Sequence, residues 1–289
     1  MDAVSRLIFN RGDWAKGENS EGIGFLKELN QGLCSLHPTA MLIAEDSTAW
    51  EGVTRPVQEG GLGFDYKWDL GWTYNVLKYL ESAPKNRADM AGHIRASLDY
   101  SRRERFILPL SHDEGMIAAR LRGGEESKLR QARLLKLFML CHPGKKLDFM
   151  GNELGQTRSW HWDKPQDWGL LQDESHAAFL RFVNEANALY LSREALWKND
   201  FGQDNFQWLN CGCANPCVFG ISRPMGEETV LAFFNFSDKA ALIEPDISGR
   251  VRMLINSDWE DFGGKTKRVA RQRIMKRLPA YSAVVYSCK

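Results

Sequence analysis

The chain has 289 residues, 43% hydrophobic and 26% charged, which is an ordinary globular composition with length for one large domain or two smaller ones, and which excludes wholesale disorder. Its 38 Lys and Arg against 37 Asp and Glu leave a formal charge of +1, so charge gives no reason to expect nucleic acid or an acidic membrane, and a neutral partner fits better. No apolar run approaches the ~20 residues of a membrane-spanning helix, the first residues lack the basic-then-apolar layout of a signal peptide, and the sparse Cys make a reducing cytoplasm the default compartment.

In chain order, Phe25, Leu26, Leu29 and Leu33 sit at helical spacing, and the run from Ala40 to Ala44 (AMLIA) reads as a short buried strand ending in Glu45 and Asp46. Phe64 to Trp68 is extended, followed by a helix carrying Trp72, Val76, Leu77 and Leu80. After a polar helix, Phe106 to Leu110 (FILPL) is another apolar strand, running straight into Ser111-His112-Asp113-Glu114. Leu134, Leu135, Phe138 and Met139 mark a helix, Leu147 to Met150 (LDFM) a strand before Gly151-Asn152-Glu153, and Phe179, Phe182, Val183 and Ala186 a further helix. This alternation predicts a parallel α/β sheet with covering helices. From about Phe201 the pattern becomes short alternating strands with turns, such as Val230 to Phe236 and Ser282 to Ser287, as in an antiparallel sandwich, and the boundary is placed near Arg193.

Polar clusters directly after apolar strands are where a parallel barrel builds its chemistry. Three occur here: Glu45-Asp46, His112-Asp113-Glu114 and Asn152-Glu153. Any one of them could equally be a helix cap or a turn, but together they can supply the two carboxyls that glycoside chemistry needs, a proton donor and a partner for the oxocarbenium-like carbon. Ten Trp, seven Tyr and fifteen Phe offer flat faces suited to pyranose rings, although most must be core. Cys211, Cys213 and Cys217 cluster without a nearby His at zinc-site spacing, so no metal is expected, and no Gly-rich phosphate loop implies an organic cofactor.

Met1-Asp2-Ala3-Val4, Ala44-Glu45-Asp46-Ser47-Thr48 and Leu110-Ser111-His112-Asp113-Glu114 resemble three successive signature regions of the α-amylase superfamily, in order. The stretches Arg55 to Trp72, Pro143 to Gln156 and Trp160 to Leu171 are similar to the glycogen and starch branching enzymes within it, and the resemblance covers nearly the whole chain, weakest after Phe201. It implies the later half of a (β/α)8 TIM barrel over residues 1–193, followed by an antiparallel β-sandwich over 194–289. It further implies Asp2 as nucleophile, Glu45 as general acid and base, Asp113 as the carboxylate that grips sugar hydroxyls, and His112 as a hydrogen-bond donor to the same ring. Trp68, Trp160 and Trp162 follow strands at the presumed active face and are candidate glucose platforms, with packing an equal alternative for each, while Lys67 is expected to face solvent. The implied substrate is an α-glucan; a hydrolase of the same superfamily and a non-catalytic glucan-binding protein remain open.

The resemblance implies that the Asp2 and Glu45 carboxyls lie about 5 to 5.5 Å apart. Branching enzymes commonly have a second Glu where this chain has Asp46, and an Arg two residues before the nucleophile, a position that falls before Met1. A barrel of this type takes ~250 residues. With only the later strands in hand, the chain is expected to be inactive and aggregation-prone by itself unless a second polypeptide, the missing N-terminal half of the barrel, completes it.

Overall fold

The computed structural model describes residues 1–269 and 271–289. The first unit is built from α1 (Ser5–Ile8), α2 (Ser20–Leu36), β1 (Ile43–Ala44), β2 (Tyr66–Trp68), α3 (Leu70–Glu81), α4 (Ala91–Tyr100), β3 (Phe106–Leu110), α5 (Ile117–Arg120), α6 (Glu125–Cys141), β4 (Lys145–Asp148) and α7 (Glu174–Ser192). Its four strands lie side by side in chain order, β1-β2-β3-β4, and every pairing is parallel. Parallel neighbours need a crossover: α3 and α4 supply it between β2 and β3, α6 between β3 and β4, and a long loop between β1 and β2, so all the strands end on one side.

The second unit holds β5 (Gln207–Leu209), β6 (Val218–Met225), β7 (Glu228–Asn235), β8 (Ala241–Leu242), β9 (Val251–Asn256), β10 (Arg277–Leu278) and β11 (Ser282–Cys288). A five-stranded antiparallel sheet runs β5-β6-β7-β11-β9, and β8 pairs with β10 in a separate two-stranded one. The turn after α7 contains Arg193, but the apolar core continues across it. Phe138 of α6 meets Phe234 at 5.3 Å and Phe236 at 5.6 Å between ring centroids, both edge-on, the arrangement that aromatic quadrupoles favour. Buried Arg87 crosses the same junction, donating to Phe236 O at 2.8 Å and to Gln131 Oε1 at 2.6 Å. A second, smaller core gathers Val4, Ile8, Leu26, Ala44, Val53, Leu62 and Phe64.

Two strands are displaced from their sequence-based positions. Only Ile43–Ala44 of AMLIA forms ladder, because Leu42 spends its N–H on the Asp65 carboxylate at 2.7 Å. The last strand ends at Asp148 instead of Met150, since the chain swings away through Gly151 at φ 95°, leaving Phe149 past the strand end. Lys67 is a correction of another kind. Its side chain is buried, and its ammonium pairs with Asp46 at 2.7 Å and donates to Thr48 O at 2.7 Å. Alternation along β2 turns position 67 inward, and a Lys there needs the carboxylate that the end of β1 provides.

Asp69 caps α3 by accepting from Trp72 N at 2.7 Å, while its other oxygen, Oδ2, is buried with no hydrogen-bond partner. Burial pushes its carboxyl up to about 7, against the opposing pull of the Trp72 N–H and the Lys67 charge. An unfolded Asp titrates near 3.8, so between roughly pH 4 and 7 the unfolded chain gives up a proton that the folded one keeps. Stability contributed by this group is therefore complete below the unfolded value and is lost as pH rises through that window. Asp69→Asn, which keeps the capping oxygen, is expected to flatten the pH dependence of the urea midpoint between pH 4 and 7; an unchanged slope would assign it elsewhere.

Candidate active site

Residues 1–4 lie alongside β1 as a parallel strand would. Glu45 N donates to Met1 O at 2.9 Å, the Met1 amino group donates to Ile43 O at 2.7 Å, and Val4 N donates to Glu45 O at 2.9 Å. This pairing puts Asp2 and Glu45 at neighbouring strand ends. Ala3 adopts φ 47°, rare for a residue with a Cβ, and donates its N–H to Glu45 Oε2 at 2.7 Å. The strained backbone thus clamps the carboxylate from one side.

On the other side stands the Asp2 carboxyl, set beside Glu45 by the same backbone pairing. Hydrogen bonding with Asp2 raises the Glu45 pKa above the usual carboxylate range; the Ala3 N–H pulls it back, while partial burial and the charges of Asp2 and Asp113 raise it further.

Asp113 follows β3 and stands within electrostatic reach of Glu45. Its carboxylate sits 3.4 Å from His112 Nε2, and both side chains are more than half exposed. Glu114, next along, turns away and closes the loop by accepting from Ser111 N at 2.6 Å and Ser111 Oγ at 2.8 Å. The His112 ring lies 5.8 Å from Phe149 and 6.4 Å from Trp160, which meet each other edge-on at 5.5 Å. Phe149 is a wall residue that sequence reasoning missed, because LDFM reads as strand core; only knowing that the strand stops at Asp148 exposes it.

The structure therefore brings together Asp2, Glu45, Asp113, His112 and Trp160. Trp162 shares the loop of Trp160 but is 79% exposed, with its ring 5.9 Å from His161. Trp68, half-buried at the end of β2, pairs in register with Ile107. Among the described residues no hydrogen bond, ion pair or ring contact links Trp68 or Trp162 to the three acids. Among the described residues there is also no cluster of three or more metal-ligating side chains, and no helix is long and apolar enough to cross a membrane.

A parallel α/β arc with carboxylates at its strand ends, followed by an antiparallel β-domain, is the architecture of the α-amylase class: the later half of a (β/α)8 barrel and its β-sandwich. An α-amylase from H. orenii superposes with a TM-score of 0.61 at 17% identity, covering 93% of this chain and 57% of that one. An Anoxybacillus pullulanase superposes with a TM-score of 0.67 at 12% identity, covering 92% and 42%. At such identities these neighbours speak to the fold alone.

By sequence, the chain is a homologue of the 1,4-alpha-glucan branching enzymes. It is 39% identical to that of Fusobacterium nucleatum subsp. nucleatum over 276 residues, 91% of this chain and 44% of the relative. It is 38% identical to that of Pseudomonas syringae pv. syringae over 283 residues, 91% of this chain and 38% of the relative. The chain thus spans less than half the length of the curated relatives it matches. No family model matches it.

Proposed function

We propose that this chain carries the catalytic carboxylates of a 1,4-α-glucan branching transglycosidase acting in glycogen synthesis by a retaining double displacement. The observation that carries the reading is the backbone pairing of residues 1–4 with β1, which sets the Asp2 and Glu45 carboxyls side by side at neighbouring strand ends, where hydrogen bonding with Asp2 raises the Glu45 pKa. A retaining reaction needs that division of labour, one carboxyl holding a proton and the other ionised.

In the first step Glu45 delivers its proton to the oxygen of an α-1,4 linkage as Asp2 attacks the anomeric carbon, and the cleaved chain end departs with the proton. The sugar enters between the two carboxyls. Asp113 and His112 accept from and donate to the ring hydroxyls, while Trp160, fixed against Phe149 and His112, offers a face to an adjoining glucose. Ionised Glu45 then takes the proton of a 6-hydroxyl on another glucan chain, whose oxygen displaces Asp2 and leaves an α-1,6 branch. The barrel strands that precede this region in a complete barrel are a further expected partner, on the same chain or another.

The products test the reading. Incubation of the protein, its barrel completed, with amylose is expected to yield new α-1,6 linkages with no net gain of reducing ends; reducing sugar without branches would assign a hydrolase instead. The proton placement is tested separately by pH. Because Asp2 is the largest cause of the raised Glu45 pKa, neutralising Asp2 is expected to bring the Glu45 titration to lower pH, read on the carboxyl itself and not through turnover. The Glu45 carboxyl followed by NMR in Asp2→Asn should titrate at lower pH than in the parent; an unchanged titration would detach the two groups.

A further inference from the structure

α6, the two-stranded sheet β8–β10 and the loop around Asp258–Thr266 border an open cleft of about 510 Å³ that shares no lining residue with the carboxylate site. Five cations line it, Arg130, Lys265, Arg271, Lys276 and Arg277, and Asp258 is the one carboxylate in the lining. We propose that this cleft binds a phosphate monoester, the phosphate between Arg271 and Arg277 and the attached sugar against the apolar wall.

The charge count carries the argument. Asp258 is buried and already engaged, accepting from Arg130 at 3.1 Å on one oxygen and from Thr266 Oγ1 at 2.7 Å on the other. Lys265 pairs with Glu126 at 3.0 Å and Lys276 with Glu244 at 3.5 Å, but all four side chains are more than 60% exposed, so these contacts exchange readily with solvent and ligand. Among the described residues no carboxylate lies within ion-pair distance of Arg271 or Arg277. The Nε of Arg130, buried at the cleft, has no partner either. In a chain whose formal charge is only +1, such a surplus is local and not a generally basic surface.

Arginine suits the assignment because its planar fork matches a phosphate's oxygens two at a time. Ala240, Met275 and Pro279 supply an apolar wall for the carbon face of a sugar, and the volume falls within the range of small-molecule sites. Arg130 belongs to α6 and the remaining cations to the β-domain side, so an occupant would tie the two units together.

Titration calorimetry on the full chain, at fixed ionic strength, tests this with inorganic phosphate, glucose 6-phosphate and a phosphorylated maltodextrin. All three are expected to bind, and Arg271→Gln with Arg277→Gln is expected to weaken them about tenfold or more, the loss of one charge-assisted contact or more. The Lys double variant, which keeps charge but not the fork, should fall between. Tightest binding of glucose 6-phosphate supports a soluble sugar ester, and tightest binding of the maltodextrin supports phosphate carried on the glucan. Binding within twofold of the parent in the folded Gln double variant overturns the proposal. So does equal heat from sodium chloride, or a preference for a DNA duplex over every phosphate monoester.

Discussion

Asp2→Asn, in a preparation that branches amylose, is expected to lower kcat by on the order of 10⁵-fold or more, because without the nucleophile no glycosyl enzyme forms and little remains besides binding. Glu45→Gln removes a different part of the chemistry and is expected to cost roughly 10²- to 10⁴-fold, the usual worth of a positioned general acid. The two should separate on an activated donor. Glucosyl fluoride carries a leaving group that departs without protonation, so Glu45→Gln should still form the covalent intermediate from it, whereas Asp2→Asn should not. Mass spectrometry of the quenched protein reads this directly. An adduct in Asp2→Asn, or comparable residual rates on fluoride for both variants, would reverse the assigned roles. The double variant is expected to be scarcely worse than Asp2→Asn alone, since residues acting in one step are strongly non-additive.

How legible this site was in the sequence depended on the kind of signal. The rule that a parallel barrel does its chemistry beyond its strand ends pointed to the clusters Glu45-Asp46, His112-Asp113-Glu114 and Asn152-Glu153, and the choice of Glu45 and Asp113 within them came from the resemblance. Asp2 precedes any readable periodicity; only the signature resemblance marked it, and its pairing with β1 became visible once the Met1, Val4 and Glu45 backbone bonds were seen. The left-handed Ala3 that aims an N–H at Glu45 has no sequence signature, because Ala is not a residue that ordinarily adopts φ > 0. The existence of helices with strong apolar spacing, α3, α6 and α7, was legible, whereas strand limits were not. A two-residue ladder such as β1 is set by what Asp65 and Leu42 do with their hydrogen bonds, which is tertiary information. Lys67 was misread for the same reason: long charged side chains usually reach solvent, and nothing in the local sequence shows that Asp46 is waiting for it across the strand.

That buried pair is also a place where a single substitution should damage the fold heavily. Lys67→Met removes the ammonium 2.7 Å from Asp46 and leaves a carboxylate whose remaining donors are Thr48 N at 3.2 Å and Thr48 Oγ1 at 3.0 Å. An uncompensated buried charge costs about 3–5 kcal/mol, a large part of the ~5–15 kcal/mol that holds a typical domain together. Asp46→Leu in the same chain should recover most of that loss, because two apolar side chains of suitable volume replace a buried ion pair at little net cost. Urea denaturation of the two singles and the double closes the cycle, and a Lys67→Met loss below about 1 kcal/mol would mean the pair is solvated after all. The consequence reaches the chemistry through one peptide bond. Asp46 follows Glu45, and β1 contributes only two residues of ladder, so the Lys67 ammonium, bonded to both Asp46 and Thr48 O, is a large share of what fixes that strand end. The double variant should therefore fold nearly as well as the parent yet turn over more slowly, with kcat reduced more than KM is changed, because a general acid set loosely loses transition-state contact before it loses substrate.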